Sequence, residues 1–244
     1  MLDALKEIEA AKMELTSKDG ALKGTVHIGI LASLSELLSV ALMRVMKKKF
    51  PDVNLKISVG YSGHLKEWLE AGEIDLALLY DSVPSKFIDS HQIVAEQLWL
   101  IGPYSSDLHQ SKAVELAEIS ELPLILPYSP HQLRFLIDHG FQIEKLDLKI
   151  AAEINDLNVQ KQLVKEGLGY TILPLVAVKS DLQQKTIKVA PIQHTEFSRN
   201  IAIALPNTRH ISKLVHVIAG ETFNCCKIAI ETKAWLGGSW ISDR

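Results

Sequence analysis

The sequence predicts an α/β fold built on parallel strands, and three observations lead there. Between residues 22 and 80, short apolar runs rich in β-branched residues alternate with stretches whose apolar residues recur at helical spacing. Pro51, Ser62 and Gly72 mark the switches, each suited to stopping or starting a helix. Residues 74–80 are almost continuously apolar, as a strand covered on both faces must be. Strands separated by helices imply right-handed crossovers, and ligands of such sheets sit off the carboxyl ends of the strands.

The elements follow in order. Residues 25–30 read as a strand. A helix over residues 33–50 places Leu34, Leu37, Leu38, Leu42, Val45 and Met46 on its apolar side. Ser33 and Glu36 fit a capping box, and Lys47, Lys48 and Lys49 occupy the last turn. Residues 53–59 form the second strand, a helix from Ser62 carries Leu65, Trp68 and Leu69, and residues 74–80 complete the unit. The turn-rich residues 81–85 are expected to cross into a second lobe. There follow a strand (96–102), a short helix (114–119), a strand (122–126), and a helix (129–139) with Pro130 in its first turn and Gly140 at its end. A strand over 146–154 comes next, then a helix capped by Asn155 or Asp156 and ending near Gly167. The apolar run 170–178 is interrupted by Pro174. Residues 186–192 and 201–205 are further strands, and residues 208–223 form a last amphipathic helix that returns to the first lobe.

Two segments lie outside this plan. Residues 2–15 are good helix formers with a thin stripe of Leu2, Leu5 and Ile8. They read either as a frayed N-terminal helix or as the stub of a longer connecting helix that pairs with another; the absence of a cap favours the second. The tail containing Trp235, Gly237, Gly238 and Trp240 is either flexible or covers an apolar patch. The division expected is therefore 1–20 as the remnant of a linker helix, 21–83 with 195–232 as lobe I, 84–194 as lobe II, and 233–244 as a tail.

Composition narrows the function. At 244 residues the chain is one large domain or two small ones, and its 47% hydrophobic content suffices for a sizeable core. A formal net charge of -3 and a pI near 6.3 oppose a chain that grips nucleic acid by itself. No apolar run is long enough to span a membrane, and residues 1–7 lack the layout of a signal peptide, so a cytoplasmic location without membrane partners is expected. The vicinal Cys225 and Cys226 read as buried or idle thiols. The histidines do not cluster at metal spacing; His27 lies within a strand, and His210 and His216 face different sides of a helix, so neither metal nor cofactor is expected. No nucleophile elbow, phosphate loop or dinucleotide fingerprint supports an enzyme. Asp75, at the start of a buried strand, reads as a capping or turn residue rather than a catalytic acid.

Four stretches in this order resemble a known family. They are Gly24-Thr25-Val26-His27-Ile28-Gly29 with the Ser-led helix after it, Phe50-Pro51-Asp52-Val53-Asn54-Leu55, Gly72-Glu73-Ile74-Asp75-Leu76-Ala77-Leu78, and residues 163–174 with Gly167-Leu168-Gly169-Tyr170. Together, from about residue 20 to about 223, they resemble the effector-binding domain of LysR-type transcriptional regulators. Residues 123–127 followed by 129–134 look like the branch containing the nitrogen assimilation control protein. The resemblance implies two Rossmann-like lobes, similar to a type 2 periplasmic binding protein, joined by two crossovers with an effector cleft between them. It also implies a homodimer or homotetramer, with DNA bound only through an N-terminal winged helix-turn-helix that this sequence does not include.

Candidate site residues follow from that topology. Helices starting at Ser33 and Ser129 would aim free N–H groups at a small anionic effector, with the hydroxyls of Ser33, Ser35 and Ser129 as added donors. Alternatively both serines only cap, and Glu36 folding back would occupy the donors an anion needs. Tyr61 and Ser62 follow the second strand and Tyr80 ends the third; their alternatives are a helix cap and a packing residue. Arg134 is a candidate bidentate contact for a carboxylate, or else pairs with Asp138 four residues on. Thr171 lies on a run whose family counterpart borders the cleft, with core packing as its alternative. The reading is a sensor of a small effector for a transcription regulator. A stand-alone solute-binding protein is the alternative, and an enzyme on the same plan is a third that lacks an acid–base pair.

Overall fold

The structure, a computed structural model, describes residues 22–80 and 85–242. The expected linker helix, most of the 81–85 turn and the last two residues lie outside that range. The chain divides into two compact units. One runs to Val94 and takes in Asn200–Trp235 and the chain from Trp240; the other comprises Ala95–Arg199 with Leu236–Ser239.

The first unit opens with β1 (Gly24–Leu31), which leads through a 3-10 turn (Ala32–Leu34) into α1 (Ser35–Lys49). Leu38, Leu42 and Met46, spaced by four, form the buried face of α1. Pro51 follows, and β2 (Val53–Gly60) pairs parallel with β1 along its whole length, from Gly24 opposite Val53 to Leu31 opposite Gly60. Next, α2 (Ser62–Ala71) buries Leu65 and Leu69 and ends on Gly72 at φ 78, where Glu73 N donates to Trp68 O at 2.8 Å. All five residues of β3 (Leu76–Tyr80) are buried, and it pairs parallel with β1. Asp75 ties β3 to β1, because its carboxylate accepts from His27 N and its own N–H donates to His27 O. This is a tie between strands distant in sequence, not the cap or turn hydrogen bond expected of it.

The next strand, β4 (Ile88–Pro103), starts earlier than the strand expected at residue 96. Asp89, Ser90, His91 and Gln92 hid its first half from a search for apolar runs. The chain passes into the second unit within this strand, at Val94–Ala95. There α3 (Leu116–Ser120) precedes β5 (Leu124–Leu126), and α4 (Gln132–Ile143) precedes β6 (Ile150–Glu153), which pairs parallel with β5. Asp156 caps α5 (Leu157–Lys165) by accepting from Val159 N. Antiparallel to β4 run β7 (Thr171–Pro174) and, beyond the short α6 (Lys179–Gln183), β8 (Ile187–Pro191). Phe141 and Phe197 meet edge to face in the core of this unit.

Back into the first unit runs β9 (Ser198–Pro206), crossing at Arg199–Asn200, and it pairs antiparallel with β3. Capped by Ser212, α7 (Lys213–Glu231) runs well beyond the end expected at residue 223, because Cys225, Cys226 and Ala229 continue its buried face. The described part of the tail packs into the fold. Trp235 is buried, and β10 (Gly238–Trp240) lies along β4.

Two helix boundaries correct the sequence reading. Neither the 3-10 turn nor α1 carries a side-chain cap, so Ser33 and Glu36 form no capping box. The helix expected from Ser129 begins at Gln132, with the His131 ring accepting from Leu133 N at 3.1 Å. A residue before proline is biased away from helical ψ, so Pro130 pushes the start past Ser129. Gly140 lies inside that helix. A Cβ there would stand 2.5 Å from the Phe197 ring, so close packing, not termination, requires glycine.

Candidate functional site

In the first unit the carboxyl ends of three parallel strands each deliver a polar side chain. Ser33 stands in the turn after β1, Tyr61 and Ser62 begin α2 after β2, and Tyr80 is the last residue of β3. Hydrogen bonds join them: Ser33 Oγ lies 2.8 Å from Tyr80 Oη, and Tyr80 N donates to Ser62 Oγ at 3.0 Å. Ser62 is 3% exposed and Tyr80 8%, so this chain is built into the fold rather than laid on it. Tyr61 flanks it as the residue before α2, with its ring 6.0 Å from that of His64. Ser35 turns its hydroxyl back on Ala32 O at 3.0 Å, a local bond. No side chain caps the first turn of α1, and its first N–H, that of Ser35, donates to Ala32 O of the preceding 3-10 turn.

In the second unit the site residues gather where β5 runs into α4. Ser129 is exposed in the connecting turn, and the Ser129–Pro130 peptide is cis. Tyr128 N, in the same turn, donates to Asn155 Oδ1 at 2.9 Å. Arg134 donates from Nε to Asp138 Oδ1 at 2.7 Å, from Nη1 to Pro127 O at 3.2 Å, and pairs with Glu153. Burial works against its charge, but the two carboxylates outweigh burial and hold the guanidinium above its ordinary pKa. Thr171 opens β7 opposite Ile101 with 0% exposure, and its hydroxyl has no hydrogen-bond partner among the described residues. Gln132 Oε1, at the first residue of α4, is also buried without one. Tyr170, just before Thr171, is held to β5 by Tyr170 N to Pro123 O and Ile125 N to Tyr170 O.

The structure therefore joins Ser33, Ser62 and Tyr80 directly, sets Tyr61 beside them, and spends the Ser35 hydroxyl locally. It places Ser129, Arg134 and Thr171 in the other unit, with Arg134 neutralised by its own carboxylates. His131, Glu153 and Asn155 were not singled out as site residues. Histidine has no strong signature as a cap, and Glu153 reaches Arg134 from a strand that spacing along a helix does not reveal. Among the described residues, no cluster of His, Cys, Asp and Glu is arranged to hold a metal ion.

Comparison with known proteins places this geometry. A family model described as the LysR substrate binding domain matches residues 19–220. The nitrogen assimilation regulatory protein nac of Klebsiella aerogenes is 26% identical over 177 residues, covering 72% of this chain and 57% of its own length. The transcriptional dual regulator GltC of Bacillus subtilis is 29% identical over 212 residues, covering 86% of this chain and 70% of its own. Among solved structures, the effector binding domain of QuiR in complex with shikimate superposes with a TM-score of 0.74 at 18% identity, covering 85% of this chain and 99% of that one. The Synechocystis PCC6803 CcmR regulatory domain in complex with 2-PG gives a TM-score of 0.75 at 13% identity, with 83% and 97% covered. The chain thus spans under two thirds of the length of the nac relative, and it shares the fold of regulatory domains taken alone.

Proposed function

This chain belongs to the LysR substrate binding domain family, and from that premise we propose that it senses a small effector on behalf of a transcription regulator that reads DNA through another of its parts. Its relatives are transcriptional regulators, and the reading is of a regulatory domain, not an enzyme. The effector contacts are assigned to Ser33, Ser35, Tyr61, Ser62 and Tyr80 of the first unit and to Ser129, Arg134 and Thr171 of the second. The observation that carries the assignment is the hydrogen-bonded chain of Ser33, Tyr80 and Ser62 at the carboxyl ends of three parallel strands, where ligands of such sheets bind.

The chemistry of these groups refines the ligand. Hydroxyls, with the N–H groups of a helix start that no side chain caps, suit an oxygen-rich acid that needs several donors. Arg134 already holds two carboxylates, so the first turn of α1 and the hydroxyls are left to hold an effector's negative charge. Such a ligand acts only through unequal affinity for two states of the regulator. The regulator works in the cytoplasm as a homodimer or homotetramer, and the exposed Val40, Met43 and Val59 of α1 and β2 supply apolar surface for that assembly.

A thermal-shift panel of small hydroxy acids and amino acids finds the effector, because binding raises the melting temperature by mass action. Calorimetric titration then compares the native chain with Tyr80→Phe and Ser33→Ala. Each is expected to weaken binding about fivefold, the value of a lost hydrogen bond of about 1 kcal/mol. Unchanged affinity in both variants rejects the assignment.

A further inference from the structure

The parallel strands β5 and β6 of the second unit end among oxygens that lack a donor. Gln160 of α5, 3% exposed, donates from its amide nitrogen to Ile154 O, and Ile154 N donates to Leu126 O, on the last residue of β5. Its amide is thereby held at the carboxyl ends of both strands. The orientation of that amide is fixed too, because turning it over would set Oε1 against the Ile154 carbonyl. Gln160 Oε1 is buried and has no hydrogen-bond partner among the described residues. Gln132 opens α4 after the turn that leaves β5, and its Oε1 is buried without a partner as well. An amide oxygen only accepts, so neither group can satisfy itself by rotating as a hydroxyl can. A buried acceptor without a donor is costly, and a ligand that brings the donor removes that cost.

The charges around these oxygens select the kind of donor. Arg134, bonded to Pro127 O just beyond β5, meets both Asp138 and Glu153. Lys161 and Lys165 of α5 share Asp181. With Asp156 at the start of α5, four carboxylates stand against three cations, and each of those cations is already held. We propose that the effector is an α-amino acid, whose ammonium group is taken by Gln132 Oε1 and Gln160 Oε1. This rests on the effector reading above, in which the hydroxyls and the α1 start of the first unit hold the acid group. A hydroxy acid would bring one neutral donor to the two oxygens. An ammonium group brings three donors and a charge that the local excess of carboxylate favours.

Calorimetric titration of the full chain with matched series tests it. Each common α-amino acid is set beside the hydroxy acid and the unsubstituted acid that differ from it only at the amino group. The amino acid that binds should exceed its hydroxy counterpart in affinity by about tenfold or more, the value of a charge-assisted hydrogen bond, and the unsubstituted acid by more still. Gln132→Leu, at a half-buried position, should reduce that ratio several-fold, whereas Gln132→Glu, which keeps an acceptor and adds charge, should preserve or enlarge it. A ratio within one series is insensitive to a general loss of stability, so a glutamine of purely structural value would leave it unchanged. Hydroxy or unsubstituted acids that bind as tightly as the amino acid would overturn this inference and leave the effector reading standing. An unchanged ratio in Gln132→Leu would also overturn it. Binding by no member of any series would do the same, and the effector reading would then be decided by a ligand from outside these series, titrated against Tyr80→Phe and Ser33→Ala.

Discussion

Gly167 and Gly169 stand two residues apart in one motif and are glycine for different reasons. Gly167 ends α5 at φ 76 with nothing near the place a Cβ would take, so backbone sign alone selects it. At Gly169 a Cβ would lie 2.6 Å from Pro123 O, on a segment pinned to β5 by the hydrogen bonds of Tyr170. Backbone cannot swing aside as a side-chain end can, so Gly169→Ala should cost about 2 kcal/mol, read as a lower urea midpoint at unchanged slope. A neutral result would show that β5 yields. The motif was legible as a pattern, but the reason for its second glycine lay in a contact with residue 123. Arg134 shows the same limit: its bond to Asp138 follows from helical spacing, whereas the one to Glu153 does not. Nothing in the sequence points to Asp181, which is 3% exposed and paired with Lys161 at 2.8 Å and with Lys165. Burial works to raise its pKa, and the two lysines outweigh burial and hold the carboxyl below its usual value. A depressed folded pKa means the stabilisation is complete above the unfolded carboxylate range and fades as pH falls through it, below about pH 4. Asp181→Asn should therefore cost about 3 kcal/mol at pH 7, by leaving two half-buried lysines unpaired, and should flatten the acid limb of a stability–pH curve. An equally steep limb in the variant would assign that dependence to other carboxylates.

At the scale of elements, periodicity located the strands and helices of the first unit well, because each buries one face or two and its stops are Pro and Gly. It failed at ends that carry no such stop. After α4, α6 and α7 the left-handed position is held by lysine: Lys145, Lys185 and Lys233 all have φ 56. In the first case Lys145 N donates to Gln142 O and Leu146 N to Phe141 O, the bonds that usually accompany a glycine there. A β-carbon in this conformation costs about 1–2 kcal/mol, so a sequence search for glycine overlooks such ends. For that reason the sequence points to Gly140 instead of the true end of α4. Lys145→Gly should accordingly raise stability by about 1 kcal/mol, measured as a higher denaturation midpoint. A fall would mean that the lysine side chain contributes more than its backbone costs. Cys225 illustrates an element hiding chemistry. Burial in α7, with Glu221 close by, pushes its thiol up to about 11, which leaves little thiolate at neutral pH.

The α/β class of the whole molecule was legible through alternation of strands and helices, but the course of the tail was not. Nothing in Trp235, Gly237, Gly238 and Trp240 says which surface they meet, because the partners come from residues distant in sequence. In the structure Trp235 is 2% exposed, and its backbone N–H donates to Ala229 O at 2.9 Å. The Trp240 ring meets Phe223 edge to face at 4.9 Å, Ile241 N donates to Ile93 O, and His91 Nε2 lies 2.6 Å from Ser242 Oγ. Burial has the larger stake here, since a hydrogen bond is worth about 1 kcal/mol net and a buried tryptophan several times that. The first unit is thus completed by residues from both ends of the chain, β1 near the start and the tail at the finish. If so, Trp235→Ala should lose about 3–5 kcal/mol, and Trp240→Ala, half-buried, about 1–2 kcal/mol. The order of the two losses is the informative part. Equal small shifts in melting temperature would make the tail a passive cover. A large loss at Trp235 alone would make it part of the core that holds β1, β3 and β9 and, through them, keeps Ser33 within reach of Tyr80.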